Sequence, residues 1–414
     1  MRSRPAAARP APPGGGALTV AFFTCNYRPL VNGLSLAVER LAAGLRARGH
    51  RVLVIAPRYP GAPDAEPDCL RLPSLRVPTH HAYAVPLPWL AGGWPAVAAA
   101  RPAIVHTHHP FLLGPYAARL ARRLGVPLVF THHTLYEHYG HYVPGAPALA
   151  GAIARRRAAR FAARADLVVA PSPGLARRLA AEGVRAPIVT IPTGVEPPPP
   201  GGRELRAALR RDLLRGAAGP LVLAVGRLAR EKNLEALVRA FARAGADAPG
   251  MALCLVGDGD DRARLLRLAV SLGVTGRVRF VGPVAPEAVG GYYAAADIFA
   301  FPSVSEAQGL VVLEALAHGL PVLAARSPAV EDLLADGVTA RLVEPTPEGL
   351  AAGLGELIAS PDLRARLGRA GRALAAAHPF DAAVDRHVQA YRELLRAQAA
   401  CGSPLPFRDA TRPA

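Results

Sequence analysis

The sequence predicts an α/β protein of two doubly wound domains that face each other across a cleft. Three observations carry this. Short apolar runs alternate with helical stretches along nearly the whole chain. One proline run, Pro197–Pro200, followed by Gly201 and Gly202, interrupts that rhythm, which then restarts. A length of 414 residues with 51% hydrophobic content exceeds one ordinary core and suffices for two.

The segments follow in order. Residues 1–17 are basic and lack an apolar stretch, so they read as a disordered tail and not as a secretory signal. The first domain spans 18–196. Its predicted strands are Leu18–Phe23, Arg51–Ile55, Ala103–His106, Leu128–Thr131, Asp166–Pro171 and Ile188–Pro192, with a helix near 34–48. Such alternation implies a parallel sheet covered by helices. The linker is 197–202, where polyproline stiffens the chain and glycine breaks it. The second domain spans 203–378. It has strands at Leu221–Val225, Ala252–Val256, Val278–Val281, Asp297–Phe301 and Pro321–Ala324, and helices at 233–244, 261–272 and 310–318. A last helix, 379–400, precedes a tail, 401–414. Ligands of open α/β sheets sit at the carboxyl ends of the strands.

Composition narrows the partners. The formal net charge is +18, which suits nucleic acid, an anionic membrane surface or anionic small substrates. The densest basic run is Arg155, Arg156, Arg157, Arg160 and Arg164. On a helix, Arg156, Arg160 and Arg164 share one face. That face is either solvated or set against a membrane. Aromatic residues make up 6% of the chain, too few to interleave with basic residues as nucleic-acid stacking platforms. Cys25, Cys69, Cys254 and Cys401 are scattered without a CxxC pair, as expected of a reducing compartment. No apolar stretch approaches the roughly 20 residues of a membrane span.

Scarcity singles out particular residues. Of 49 basic residues only Lys232 is a lysine; the only asparagines are Asn26, Asn32 and Asn233. Lys232 lies in GRLAREKN, just after the strand Leu221–Val225. An ammonium is a compact point charge where guanidinium is a planar fork, so a phosphate site needing that point charge resists replacement by arginine. Downstream, FPSVSEAQGLVVLEALAHGLPV places Glu306 in a loop after a strand and Glu314 eight residues on, within an apolar helix. Gln308, Gly309 and Leu310 fall near that helix start, where unpaired backbone N–H groups suit an anion such as a diphosphate. Two carboxylates so spaced suit sugar and ribose hydroxyls.

These motifs resemble the retaining glycosyltransferases of family 4, which have the GT-B fold. The spaced glutamates, GRLAREKN, PLVNGLSLAVERLAAGLRARGHRVLVIAP and IPTGVE all match, in order, from Leu18 to about Leu395. The resemblance implies two Rossmann-like domains with the last helix crossing back to the first, an acceptor-binding one and a nucleotide-sugar-binding one. Gly33 would let the first loop approach the donor diphosphate. Arg227 and Lys232 would neutralise the departing diphosphate, Glu306 would bind donor-sugar hydroxyls, and Glu314 would bind the ribose diol. Gln308, Gly309 and Leu310 would supply backbone amides. The resemblance implies no metal and no cofactor beyond the nucleotide-sugar co-substrate.

Seven of 13 histidines lie between 106 and 141. No carboxylate or cysteine cluster accompanies them, which argues against a zinc site. His108 and His109 end one strand, and His132 and His133 end another, facing the same cleft. His106 alternates inward as a core residue. His133 matches the family histidine near the donor sugar and acceptor, and belongs with Glu306, Arg227 and Lys232 in the catalytic set. THHTLYEHYGHYVP resembles the branch that glycosylates diacylglycerol. His108, His109, Tyr136, Tyr139, His141 and Tyr142 would then bind the acceptor, with Glu137 beside them. Trp89 and Trp94 would dip into a bilayer interface.

Two look-alikes fall away. Asp258-Gly259-Asp260 precedes a helix, which makes Asp260 an N-cap in place of a metal ligand. Gly257 and Gly259 open a GxG whose third glycine would fall at Arg262, so it is no dinucleotide fingerprint. The expected activity is retaining transfer of a hexose from a nucleotide sugar, UDP-glucose favoured, to a lipid hydroxyl such as that of diacylglycerol. The expected location is cytoplasmic, peripheral to the inner face of the cell membrane. A soluble or polysaccharide acceptor, or a nucleotide-sugar epimerase or hydrolase on the same scaffold, stands as the alternative. Nucleic acid is not an expected partner, and the sequence leaves the oligomeric state open.

Overall fold

Parallel strands buried on both faces read as continuous apolar runs, and the strands here do. In β1 (Thr19–Phe23), every residue after Thr19 is buried. The computed structural model describes residues 16–400, except 64–65, 77–83, 91–93, 144, 200–202 and 247. The two tails therefore lie almost wholly outside the described residues, as does the glycine end of the linker.

The first sheet contains β1, β2 (Arg51–Pro57), β3 (Cys69–Leu72), β6 (Ile104–Thr107), β7 (Leu128–Thr131), β8 (Leu167–Ala170) and β9 (Ile188–Thr190). Its order is β3-β2-β1-β6-β7-β8-β9, all parallel. A short antiparallel hairpin, β4 (Ser74–Arg76) and β5 (Ala84–Pro86), stands apart. The second sheet contains β10 (Leu221–Val225), β11 (Ala252–Val256), β12 (Val278–Gly282), β13 (Ile298–Phe301), β14 (Val322–Ala325) and β15 (Arg341–Val343). Its order is β12-β11-β10-β13-β14-β15, again parallel. Sequence reading finds the core strands but misses β3, the hairpin and β15. Each of these runs to four residues or fewer, too short for periodicity to register.

The first helix, Gly33–Ala47, starts at a capping box. Asn32 accepts from the Ser35 amide at 2.9 Å, and Ser35 Oγ accepts from the Asn32 amide at 2.9 Å. The last helix, Phe380–Ala400, returns to the first domain. Its Val384, Val388, Tyr391 and Leu394 join one core with Val20, Phe22 and Leu41. Arg48 pins its start through Asp385 at 2.5 Å and Asp381 at 3.0 Å. One expectation is corrected here: the cap position before the helix Arg262–Ser271 is Asp261, not Asp260. Asp261 makes no cap bond, because its carboxylate is held by Arg264 at 2.6 Å.

Candidate active site

Each sheet reverses its strand order once, between β1 and β6 and between β10 and β13. Such switch points open crevices at the carboxyl ends of strands. The chain leaving β10 runs through Arg227 into a tight turn, Arg230–Lys232, closed by Asn233 at φ +54°. Asparagine tolerates that left-handed geometry better than most side chains. Its Nδ2 donates to the carbonyls of Pro302 (3.2 Å) and Pro345 (3.1 Å). Ser305 Oγ donates to the Glu231 carbonyl at 3.0 Å. The lysine turn is thereby tied to the loop after β13, and that loop carries Glu306.

Lys232 and Glu306 form an ion pair. Burial works against the ammonium most strongly of any single influence, but Glu306, Tyr139 and Glu231 together outweigh it and hold the lysine pKa above its ordinary value. Arg227 pairs with the buried Glu231, donates to the Tyr142 hydroxyl at 2.7 Å and lies 6.0 Å over the Tyr139 ring. Tyr139 and Tyr142 stack at 6.2 Å. Arginine, lysine, glutamate and two tyrosines of the expected site thus converge.

The glutamate loop also clasps the first domain. Glu306 forms an antiparallel bridge with Thr134, and Ala307 is buried in the first domain's core. Gln308 Oε1 accepts from the Thr193 amide at 3.0 Å and the Thr193 hydroxyl at 2.7 Å. Those two donors fix the orientation of the amide and leave Nε2 buried without a hydrogen-bond partner. Gly309 takes φ +78°, a geometry that favours glycine. The helix Leu310–Ala317 then presents Glu314. The Glu314 carboxylate accepts from Arg40 and from the Tyr293 hydroxyl, both at 3.0 Å. Sequence reasoning missed Arg40, Tyr293, Thr134 and Thr193. Arg40 is one of 48 arginines, and nothing local marks it. Gly33 opens the first helix, and a Cβ there would meet no atom within 4 Å. Packing within the protein therefore makes no demand for glycine at 33.

The histidines sort by depth. His106 is sealed in the core, bonded to the Tyr391 hydroxyl and to Thr131 Oγ1, each at 2.7 Å. His108 is fully buried, its Nδ1 2.9 Å from His133 Nε2, and it lines the same small cavity as His133. His109 contacts Asn26 at 3.2 Å. Tyr136 is corrected, being 7% exposed and packed against Phe111 and His132. His133, half-buried, lines a small cavity with Thr131, Thr193, Val384 and His387. The His141 side chain lies outside the described residues. Trp94 belongs to the first domain's core, whereas Trp89 is 68% exposed. Among the described residues no three His, Cys, Asp or Glu side chains gather as metal ligands.

Burial pushes the pKa of His109, His132 and His387 down to about 4 and that of His133 to about 3. The unfolded chain takes up these protons near pH 6.5, whereas the fold refuses them until pH 4 or below. The fold therefore loses stability as pH falls from 6.5 towards 4. We expect the melting temperature to drop steadily over that window. A melting temperature flat from pH 7 to 4.5 would overturn the burial assignment.

This architecture, two parallel-sheet domains with a returning helix and a cleft between switch points, defines the GT-B glycosyltransferases. Sucrose-phosphate synthase from Thermosynechococcus elongatus superimposes with a TM-score of 0.76 at 25% identity, over 92% of this chain and 100% of that one. Residues 31–197 match the model described as Glycosyltransferase Family 4, and residues 206–374 match Glycosyl transferases group 1. The GDP-mannose-dependent alpha-mannosyltransferase of Mycolicibacterium smegmatis is 32% identical over 397 residues, 91% of this chain and 98% of that protein. An alpha-monoglucosyldiacylglycerol synthase of Streptococcus pneumoniae is 29% identical over 351 residues, 84% of this chain and 80% of that protein. The chain belongs to the family 4 glycosyltransferases, and its sequence resembles the monoglucosyldiacylglycerol synthase branch.

Proposed function

We propose that this glycosyltransferase moves a hexose, with glucose from UDP-glucose favoured, to a lipid hydroxyl such as that of diacylglycerol, with retention of configuration. The observation that carries the donor half is the pair of cations on the segment after β10, Lys232 paired with Glu306 and Arg227 paired with Glu231. Charge develops on the departing diphosphate in the transition state, and preorganised cations there lower the barrier. Glu306 then exchanges its lysine partner for sugar hydroxyls, and Glu314 holds the ribose diol. The acceptor hydroxyl attacks C1 from the face the diphosphate leaves. Its proton passes to a leaving phosphate oxygen.

The acceptor half rests on the surface beside the tyrosines. The helix Pro147–Ala162 packs tightly on the turn Tyr136–Tyr142. A Cβ at Gly140 would come within 1.9 Å of the Pro147 carbonyl, and one at Gly151 within 2.4 Å of the Glu137 carbonyl. That helix exposes Leu149 and Ile153, four residues apart, beside the exposed Arg156, Arg157 and Arg160. An apolar pair flanked by arginines suits an anionic bilayer, at about 1 kcal/mol per basic residue. Two relatives named alpha-monoglucosyldiacylglycerol synthase support the same reading. No helix among the described residues is long and apolar enough to cross a membrane, and peripheral attachment from the cytoplasmic side fits this surface.

The test is nucleotide release from UDP-glucose, UDP-galactose and GDP-mannose, with and without anionic vesicles containing diacylglycerol. Vesicle-dependent release with a glycolipid product is expected. Release indifferent to vesicles would replace the lipid by a soluble acceptor or by water, the latter the hydrolase alternative. Sugar isomerisation without acceptor would favour an epimerase. GDP-mannose as the sole donor would move the donor assignment to that of the mannosyltransferase relative.

A further inference from the structure

We infer that His108 is a positioning residue that fixes the tautomer of His133, so that His133 offers an N–H from Nδ1 towards the bound substrates. The inference rests on placing His133 beside the reacting sugar, as proposed above.

The two imidazoles share one hydrogen bond, His108 Nδ1 to His133 Nε2, at 2.9 Å. Both rings are buried deeply enough to stay neutral at ordinary pH. A neutral imidazole carries a single N–H, with its other nitrogen a bare acceptor. One ring of the pair must therefore donate and the other accept, and the choice sets the outer nitrogen of each.

His108 Nε2 decides which. It is sealed and has no hydrogen-bond partner. Its ring is held edge-on to Phe22 at 4.8 Å and tilted against His106 at 4.2 Å. His106 is itself locked between Tyr391 and Thr131, so His108 has no room to turn towards another partner. A sealed N–H without an acceptor is the rarer and costlier orphan; a sealed lone pair is tolerated more readily. His108 therefore keeps its proton on Nδ1 and donates to His133 Nε2. His133 is left with its proton on Nδ1, the nitrogen not engaged by His108.

A histidine so prepared enters the reaction as a neutral donor whose N–H is aimed before substrate arrives. It suits a sugar hydroxyl or the oxygen on which charge develops. No proton transfer through His108 is required.

Asparagine and phenylalanine separate this role from packing. The Asn side-chain amide places an N–H where His Nδ1 sits, whereas phenylalanine fills the ring volume without a donor. The full-length protein, labelled with 15N-histidine, is read by NMR in wild type, His108→Asn and His108→Phe, each checked by thermal melting. Wild type should show His133 protonated at Nδ1 and bare at Nε2. His108→Asn should preserve that pattern, and His108→Phe should lose it. Turnover should fall about 10- to 100-fold in His108→Phe, the range typical of lost orienting partners, with donor KM within about twofold, and recover in His108→Asn. Protonation of His133 at Nε2 in wild type, or an unchanged pattern in a folded His108→Phe, would overturn the inference. The NMR reading requires no activity, so it stands or falls separately from the choice of donor and acceptor.

Discussion

Lys232→Ala is expected to lower turnover about 100- to 1,000-fold while leaving the fold near wild-type stability. The magnitude is that of removing one preorganised charge from a developing oxyanion, about 2.7–4 kcal/mol. The fold should survive because Glu306, the group left behind, is 26% exposed and can be solvated. Lys232→Arg tests the geometry and not the charge. The turn that carries the lysine is pinned by Asn233 and Ser305, so a longer, planar head has no room to retreat. About a tenfold loss is expected for the arginine variant. Nucleotide release under saturating donor, with parallel melting curves, measures both. Turnover within about twofold of wild type in Lys232→Ala would remove the lysine from the donor site.

The second large effect is structural. Tyr391→Ala is expected to cost about 3–5 kcal/mol, as large-to-small changes in sealed cores do. Tyr391 is 1% exposed and sits in the core shared by the returning helix and the first sheet. Its hydroxyl also satisfies His106, so the variant strands a buried nitrogen at a further cost of about 1–3 kcal/mol. Tyr391→Phe isolates that second part and should cost only the smaller amount. Chemical denaturation of the two variants separates cavity from hydrogen bond. Equal losses would mean that the ring contributes nothing beyond its hydroxyl.

Much of this was legible in the sequence because the informative residues are rare types. All three asparagines hold particular positions: Asn32 caps a helix, Asn233 takes a left-handed turn, and Asn26 meets His109. Lys232 stands out for the same reason, whereas Glu306 stands out by its spacing from Glu314 in the segment after β13. The strands of both sheet centres are visible as apolar runs, since burial on both faces leaves no alternation to misread. What stayed hidden depends on contacts between distant segments. The Arg40 to Glu314 bond spans 274 positions and the Thr193 to Gln308 bond 115, and neither has a local signature. The depth of His108 and Tyr136 was equally invisible. Both lie in polar, aromatic segments that look like a mouth, and only the packing of neighbours reveals that they face inward. The error at Asp260 was of one residue, the usual slip at a helix end.

The solitary lysine has a practical corollary. Lys232 holds the only side-chain amine in the chain. Acylating reagents, which in most proteins survey the whole surface, have a single internal address here, and on the function proposed above it lies in the donor cleft. Acylation consumes the free amine, which is scarce while Glu306 holds the ammonium, so the adduct forms slowly. A diphosphate in its place would slow it further. The mass of the peptide that carries Lys232 then becomes a ligand titration: the fraction acylated at fixed time reports the fraction of empty sites, for any donor, whether or not that donor is turned over.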